Sequence, residues 1–179
     1  MMNKNLLIVV IAALGLSAGF LANRFINQPG ASQAAKVETG TPEFAPAFSL
    51  MDLQDKLRDS KEWQGKVVMV NFWASWCPPC VREIPAFIKL QKDYADKGLV
   101  IIGIALDTKQ NIADFVDPMD MNYPVLIAEK EGVALAKAYG NRLSVLPYTV
   151  IVNREGRIVY THRSELTYDV AEKVIKPLL

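Results

Sequence analysis

Two long apolar runs dominate the hydrophobic pattern beyond residue 40. The run at 67–72 reads VVMVNF and the run at 99–106 reads LVIIGIAL, and both are rich in β-branched residues. Nearly continuous apolar strands are typical of positions that are covered on both faces of a sheet. The pattern therefore predicts two central strands, and shorter strands are predicted at 47–50, 125–127, 149–152 and 157–160.

Between the strands, apolar residues recur at helical spacing. Ile84, Phe87 and Ile88 lie at the intervals of one helix face, which predicts a helix at 80–92 that stops before Gly98. The same reasoning predicts further helices at 111–119, 133–139 and 167–178, and a weak helix or turn at 57–63.

The order of these elements determines the expected fold class. Alternation of strand and helix in the first part requires parallel pairing with crossover connections. The stretch Asn153-Arg154-Glu155-Gly156 between the last two strands indicates an antiparallel hairpin. The chain is therefore predicted to be an α/β protein with three layers, a mixed central β-sheet with helices on both faces.

The N-terminus carries a separate apolar segment. Residues 6–22 contain no charged residue, and as a helix they would reach about 25 Å, close to the ~30 Å hydrocarbon core of a bilayer. We predict that residues 1–26 form an uncleaved transmembrane signal-anchor. A cleaved signal peptide is the alternative, since the small residues at 17–19 offer a cleavage site, although this site lies inside the apolar run.

Residues 27–43 are rich in Gln, Ala, Ser and Gly and show no hydrophobic period, which predicts a flexible linker. The remaining residues, 44–179, form the predicted globular domain. Because short N-terminal anchors usually export the domain on their C-terminal side, we expect this domain on the periplasmic or extracytoplasmic side of the inner or cytoplasmic membrane.

The charge balance and the count of metal-ligating residues exclude some classes of function. The chain has 20 Lys and Arg against 19 Asp and Glu, which provides no basic surface for nucleic acid. Two cysteines and one histidine are too few for a four-ligand zinc site. We therefore expect no nucleic acid, no metal and no organic cofactor.

Both cysteines lie in the stretch Trp76-Cys77-Pro78-Pro79-Cys80, where a predicted buried strand meets a helix. In the first turn of a helix, residues three apart share one face, so the two sulfurs can reach disulfide distance. A bridge that closes so short a loop constrains the unfolded chain little. The spacing therefore suits redox chemistry better than scaffolding.

The helix N-terminus should lower the pKa of the Cys77 thiol and enrich its nucleophilic thiolate. Pro78 and Pro79 suit the first helical positions, but they also remove two amide donors that could stabilise this thiolate. Strong stabilisation of the thiolate makes an oxidant, so a moderate stabilisation favours a reductant.

The segment 71–80, NFWASWCPPC, resembles the active-site segment of thioredoxin-fold proteins. Within that group the chain most resembles the membrane-anchored thiol-disulfide oxidoreductases of the TlpA/ResA type, in the redoxin/AhpC-TSA-like superfamily. The stretches 44–50, 65–68 and 145–149 match as well, and the resemblance covers 44–179.

The resemblance implies roles for the matching residues. Cys77 would be the exposed, attacking thiol and Cys80 the buried, resolving thiol. Pro147 would be a cis-proline facing the disulfide, and its cis bond would let the backbone of Leu146 pair with an extended substrate. Trp76, together with Pro78 on the helix, is expected to contribute apolar substrate contacts.

Two positions depart from the family pattern. Thioredoxins carry a buried aspartate where this chain has Asn71, which cannot exchange a proton. Glu83, three residues after Cys80 on the same helix face, is the candidate replacement as proton acceptor, and a solvated helix glutamate is the alternative. Cytochrome-maturation members often have an acidic residue directly after the cis-proline, whereas this chain has Tyr148.

The leading interpretation is an extracytoplasmic thiol:disulfide interchange protein that reduces disulfides in protein substrates. The family implies that a membrane electron donor of the DsbD/CcdA type recharges it. A disulfide-forming oxidase and a dedicated apocytochrome c reductase use the same residues and stay open as alternatives. A non-enzymatic alternative is an anchored binding module whose disulfide is structural.

Overall fold

The computed structural model describes residue 37 and residues 40–179. The predicted anchor at 1–26 and most of the predicted linker at 27–43 lie outside the described residues, so this division of the chain stays a prediction. In the part that is described, none of the helices has both the length and the apolar character needed to cross a membrane.

Seven strands of the described residues form one mixed sheet. In chain order they are β1 (Ser49–Asp52), β2 (Leu57–Asp59), β3 (Val67–Trp73), β4 (Leu99–Ala105), β5 (Val125–Ile127), β6 (Tyr148–Val152) and β7 (Ile158–Arg163). Across the sheet the order is β2-β1-β5-β4-β3-β6-β7. The neighbours β3, β4 and β5 run parallel, and the outer pairs are antiparallel, which confirms the predicted mixed sheet.

In residues 40–179, four α-helices cover the two faces of this sheet: α1 (Pro78–Tyr94), α2 (Lys109–Met119), α3 (Gly132–Ala138) and α4 (Tyr168–Ile175). Buried residues of α1, α2 and α4 belong to one apolar cluster, and those of α3 belong to the cluster on the other face. The predicted three-layer α/β architecture is therefore confirmed.

The central strand β3 shows why its sequence is nearly all apolar. Val67, Met69 and Trp73 face the cluster beneath α1, whereas Val70 and Phe72 face the opposite cluster. Because successive side chains alternate between faces and both faces are covered, each position favours an apolar residue. Asn71 is the exception, and it lies on the α1 side, in the candidate site.

Several predicted boundaries need correction. The segment 57–63, predicted as a weak helix or turn, is the edge strand β2 followed by a 3-10 helix at Ser60–Trp63. The first helix begins at Pro78 rather than at residue 80, because both prolines occupy its first two positions. The strand predicted at 47–50 begins at Ser49, and the last α-helix ends at Ile175 before a 3-10 turn.

Candidate active site

The candidate site lies where β3 ends and α1 begins. Cys77 has extended backbone angles and is the N-cap residue of α1, and Pro78 and Pro79 follow it inside the helix. The backbone N–H of Val81 donates to the Cys77 carbonyl at 3.1 Å, which closes the first helical turn. The prolines lack N–H groups at positions where a helix has no internal acceptor for them. The sequence therefore places Cys77 at the positive end of a 17-residue helix.

Cys77 and Cys80 form a disulfide, with their Cα atoms 5.3 Å apart. Cys80 is fully buried, and Cys77 retains 5% of its surface exposed. The predicted difference between an outer and an inner sulfur is present, but Cys77 is less exposed than expected. Its remaining exposure opens into a surface groove.

The loop before Cys77 is anchored by the buried carboxylate of Asp107, directly after β4. Both the backbone N–H and the hydroxyl of Ser75 donate to Asp107 Oδ2. The other carboxylate oxygen accepts from the Thr108 N–H and from the Asn111 amide, each at 2.8 Å. Burial opposes the charge of Asp107, but these hydrogen bonds outweigh it and hold the pKa below its ordinary value.

A second loop reaches the site from the opposite side and ends at the cis peptide bond between Leu146 and Pro147, as predicted. The fully buried side chain of Asn141 secures this loop. Its amide N–H donates to the Val145 carbonyl at 2.8 Å, and its carbonyl oxygen accepts from the Val145 N–H at 3.3 Å. The carbonyl and the N–H of Val145, the residue before Leu146, are therefore both held by hydrogen bonds.

A groove of about 490 Å³ lies between these two loops. Trp76 is its most prominent wall, with 66% of its surface exposed. Within the described part of the chain, the lining consists of Trp76, Cys77, Pro78, Pro79, Leu106, Glu129, Val133, Ser144 and Leu146. The structure therefore brings four of the predicted site residues together, namely Trp76, Cys77, Pro78 and Leu146. Pro147 is buried and is not among the residues that line the groove.

Glu83, the sixth residue of α1, is buried with only 1% of its surface exposed, so the solvated alternative is wrong. The Asn71 amide donates to Glu83 Oε1 at 2.8 Å, and the Leu166 N–H donates to Oε2 at 2.9 Å. Burial raises the pKa of Glu83 to about 8. The two hydrogen bonds oppose this rise only in part, and the negative charge of Glu165 adds to it. Glu83 does not line the groove, and it follows the fully buried Cys80 by three residues, on the same face of α1.

Asn71 joins this carboxyl group to the sheet. Besides Glu83, its amide donates to the Thr149 hydroxyl of β6 at 3.0 Å. Asn71 therefore orients the buried carboxyl group of Glu83. This acid stands on the helix rather than on the strand, at the position that the sequence predicted.

The arrangement supports thiol chemistry. Three groups of the site suit thiol-disulfide exchange. Cys77 lies at a helix N-terminus, and Cys80 is its inner partner three residues later. The third group is the buried carboxyl group of Glu83, whose pKa of about 8 is near that of an ordinary thiol. Among the described residues, no cluster of His, Cys, Asp and Glu is arranged to hold a metal ion.

Three residues of this site were not found from the sequence. Asp107 and Asn141 lie in loops and act through tertiary hydrogen bonds that no periodic pattern indicates. Glu129 follows β5 and lines the groove, but in the sequence it is one of two acidic residues between Ala128 and Gly132. An acid directly after a predicted parallel strand was the available signal, because such strand ends meet at one edge of the sheet.

Comparison with known proteins supports the same chemistry. The family model described as Redoxin matches residues 38–175. The chain is 33% identical to the thiol-disulfide oxidoreductase ResA of Halalkalibacterium halodurans, over 98% of this chain and 94% of that protein. It is also 37% identical to the thioredoxin-like protein YneN of Bacillus subtilis, over 74% of this chain and 78% of that protein.

Among solved structures, the chain is similar to a thiol:disulfide interchange protein of the thioredoxin family from Chlorobium tepidum. The TM-score is 0.69 at 27% identity, and the match covers 80% of this chain and 99% of that structure.

Proposed function

Because the chain belongs to the redoxin family and is a thiol-disulfide oxidoreductase, we propose that it reduces disulfides in protein substrates of an extracytoplasmic compartment. One observation carries the proposal: the Cys77–Cys80 disulfide stands at the N-terminus of α1, where Cys77 lines an open groove and the buried Glu83 follows Cys80 by three residues on the same helix. The groove gives a substrate access to the outer sulfur, and the buried acid serves the inner one.

The reaction begins from the reduced dithiol. The Cys77 thiolate attacks one sulfur of the substrate disulfide, which breaks that bond and forms a mixed disulfide. The departing substrate thiolate takes up a proton. The positive end of α1 stabilises the attacking thiolate, but Pro78 and Pro79 leave only the Cys80 N–H as a nearby amide donor of the first turn. The thiolate is therefore stabilised moderately, which suits a reductant.

Cys80 then resolves the mixed disulfide. Its thiol must lose a proton before it attacks Cys77, and Glu83 is the proposed acceptor. A carboxyl group with a pKa of about 8 is a much stronger base than an ordinary carboxylate, so the ionised form of Glu83 is suited to take the proton from Cys80. The attack forms the Cys77–Cys80 disulfide and releases the second substrate thiolate, so two electrons pass to the substrate.

The cis-proline loop presents the substrate in this scheme. Leu146 lines the groove, and its backbone precedes the cis bond, where it can pair with an extended polypeptide. Asn141 holds this loop in place through Val145. The buried Pro147 fixes the direction of the backbone through its cis bond.

The proposed cycle needs a donor that returns the disulfide to the dithiol. A membrane protein of the DsbD/CcdA type would supply these electrons, with the chain anchored by residues 1–26. The support for this part is the apolar segment of the sequence and the likeness to ResA proteins along nearly the whole chain.

Trapping of the mixed disulfide tests the proposed function. In a Cys80→Ser variant of the full chain, Cys77 attacks but no resolving thiol remains, so we expect disulfide-linked adducts with protein substrates in the native host. A Cys77→Ser variant is the matched control and should form none. If both variants give the same adducts, or neither gives any, Cys77 is not the attacking group.

The direction of electron flow is tested by the reduction potential. A reductant of this design should lie near thioredoxin, at about −270 mV, whereas a disulfide-forming oxidase would lie near about −120 mV. Redox titration of the full chain against a thiol buffer decides between the two. A reduction potential close to that of a disulfide-forming oxidase would contradict the proposed direction of electron flow.

A further inference from the structure

The described residues that line the groove beside Cys77 include one acid among mostly apolar side chains. Of these nine described residues, Glu129 is the one with a charged side chain. Trp76, Val133 and Leu146 provide apolar walls, and the Ser144 side chain is uncharged. A single negative charge therefore stands in an otherwise neutral groove.

An exposed apolar surface continues from the groove onto the loop that carries Leu146. Trp76 exposes 66% of its surface and Val133 exposes 45%, and Leu143 and Val145 expose 72% and 40%. Exposed large apolar residues that cluster around a reactive group mark a docking surface for another protein.

The backbone of Glu129 is held in position, whereas its exposed carboxylate has no hydrogen-bond or ion-pair partner among the residues that the structure describes. It lies in the turn between β5 and α3, where the Ala128 N–H donates to the Ala105 carbonyl and the Gly132 N–H donates to the Ala128 carbonyl, each at 2.9 Å. The turn packs closely on β4, since a side chain at Gly132 would meet Leu106 Cγ at 2.5 Å. Among the described residues, no side chain forms a hydrogen bond or ion pair with the Glu129 carboxylate.

We propose that this groove selects extended polypeptide segments that carry a lysine or arginine close to their reacting cysteine, with the cation meeting Glu129. The proposal rests on the proposed function and names the substrate class of the same site. An apolar side chain next to the cysteine would contact Trp76 and Val133. Glu129 thus determines specificity, and it takes no part in the exchange of sulfur bonds.

Charge complementarity decides between the possible occupants. A charge at the rim of a binding surface changes association and rejects partners of like charge, even where it adds little affinity. A small neutral disulfide would gain nothing from Glu129, and an acidic segment would be repelled by it. A basic segment is the one class that gains both from the charge and from the apolar walls.

Reduction of matched peptides tests the proposal. The full 179-residue chain, reduced and kept in mild detergent, is mixed with disulfide-bonded peptides that differ at one position near the cysteine, which is lysine, alanine or glutamate. We expect the lysine peptide to react about two- to fivefold faster than the alanine peptide, as for one exposed ion pair, and the glutamate peptide to react more slowly. Added salt should reduce both differences.

Variants of the acid identify the cause of the preference. Glu129→Gln should abolish the preference, and Glu129→Lys should invert it toward the glutamate peptide. Glu131→Gln is the matched control, because Glu131 is exposed two residues away and does not line the groove. It should keep the wild-type preference.

Two results separate this proposal from the proposed function. If the wild-type chain reduces all three peptides at equal rates, or if the preference survives in Glu129→Gln, the role of Glu129 is overturned while disulfide reduction stands. If the wild-type chain reduces neither the peptides nor a small neutral disulfide, the proposed function itself fails, and the substrate class fails with it.

Discussion

Replacement of Glu83 by glutamine tests the buried acid in the oxidised protein, independently of any substrate. Glutamine keeps the size of the side chain and removes its charge. It can still accept from the Leu166 N–H, and rotation of the Asn71 amide lets the Asn71 oxygen accept from the new amide and from the Thr149 hydroxyl. The variant should therefore fold, and its stability should respond differently to pH.

The sign of this response is set by the two pKa values. The pKa of Glu83 is about 8 in the folded chain against an ordinary value of 4.5. Between these values the folded state holds the proton and the unfolded state does not, so stability falls as pH rises from about 4.5 to about 8, and then levels off. The difference of 8 − 4.5 = 3.5 units corresponds to about 5 kcal/mol in total.

Within this range, a convenient interval is about pH 6 to pH 8. Integration over that interval gives a loss of about 2 kcal/mol in the free energy of unfolding from Glu83 alone. Glu83→Gln lacks this loss. The difference in the free energy of unfolding between wild type and variant should therefore change by about that amount between the two pH values. Urea unfolding of the oxidised full chain in non-ionic detergent, monitored by near-UV circular dichroism, measures it at both pH values.

The matched control is Glu155→Gln, on the exposed hairpin between β6 and β7. Its pH dependence should coincide with that of the wild type. If Glu83→Gln also shows the wild-type pH dependence, Glu83 titrates at an ordinary pH. The reasoning that matches its pKa to that of a thiol would then be refuted.

Three further substitutions test the surroundings of the cysteine pair. Pro79→Ala restores an amide donor in the first turn of the helix and should lower the pKa of Cys77 by about half to one unit. The pH dependence of alkylation measures this pKa, and an unchanged pKa would contradict the prediction. Asp107→Asn weakens the hold on Ser75 and should cost about 1–3 kcal/mol in urea unfolding while slowing the reaction with a peptide disulfide. Equal stability and rate would show that this contact is dispensable. Tyr148→Phe removes a hydroxyl that donates to the Tyr139 carbonyl at 3.0 Å, so it should lower the free energy of unfolding by about 1 kcal/mol. The rate of reaction with a peptide disulfide should stay unchanged, and a slower rate would give Tyr148 a role in the site.

The parts of the fold that a sequence can predict are those with a strong local cause. The run at 67–72 identified β3 because both of its faces are covered, and Gly98 marked the end of the first helix region, where its φ of 97° favours glycine. The edge strand β2 was missed because it has three residues and only one neighbour in the sheet. Short edge strands carry little periodicity, so 57–63 looked like a weak helix.

The candidate site divides in the same way. Cys77, Cys80 and Glu83 were found because their spacing along one helix is local information. The anchoring contacts of Asp107 with Ser75 and of Asn141 with Val145 depend on how loops meet in space. The depth of the groove, and hence the small exposure of Cys77, results from packing of the two loops and was equally hidden.

The most direct test of the account is electron transfer from the cysteine pair to a protein disulfide. The reduced full chain is mixed with an oxidised, unfolded substrate protein, the reaction is quenched with acid, and thiols are counted in both proteins by mass spectrometry. We expect the substrate to gain two thiols for each Cys77–Cys80 disulfide formed, and we expect Cys77→Ser to transfer none. A wild-type chain that keeps both thiols while the substrate stays oxidised would contradict it.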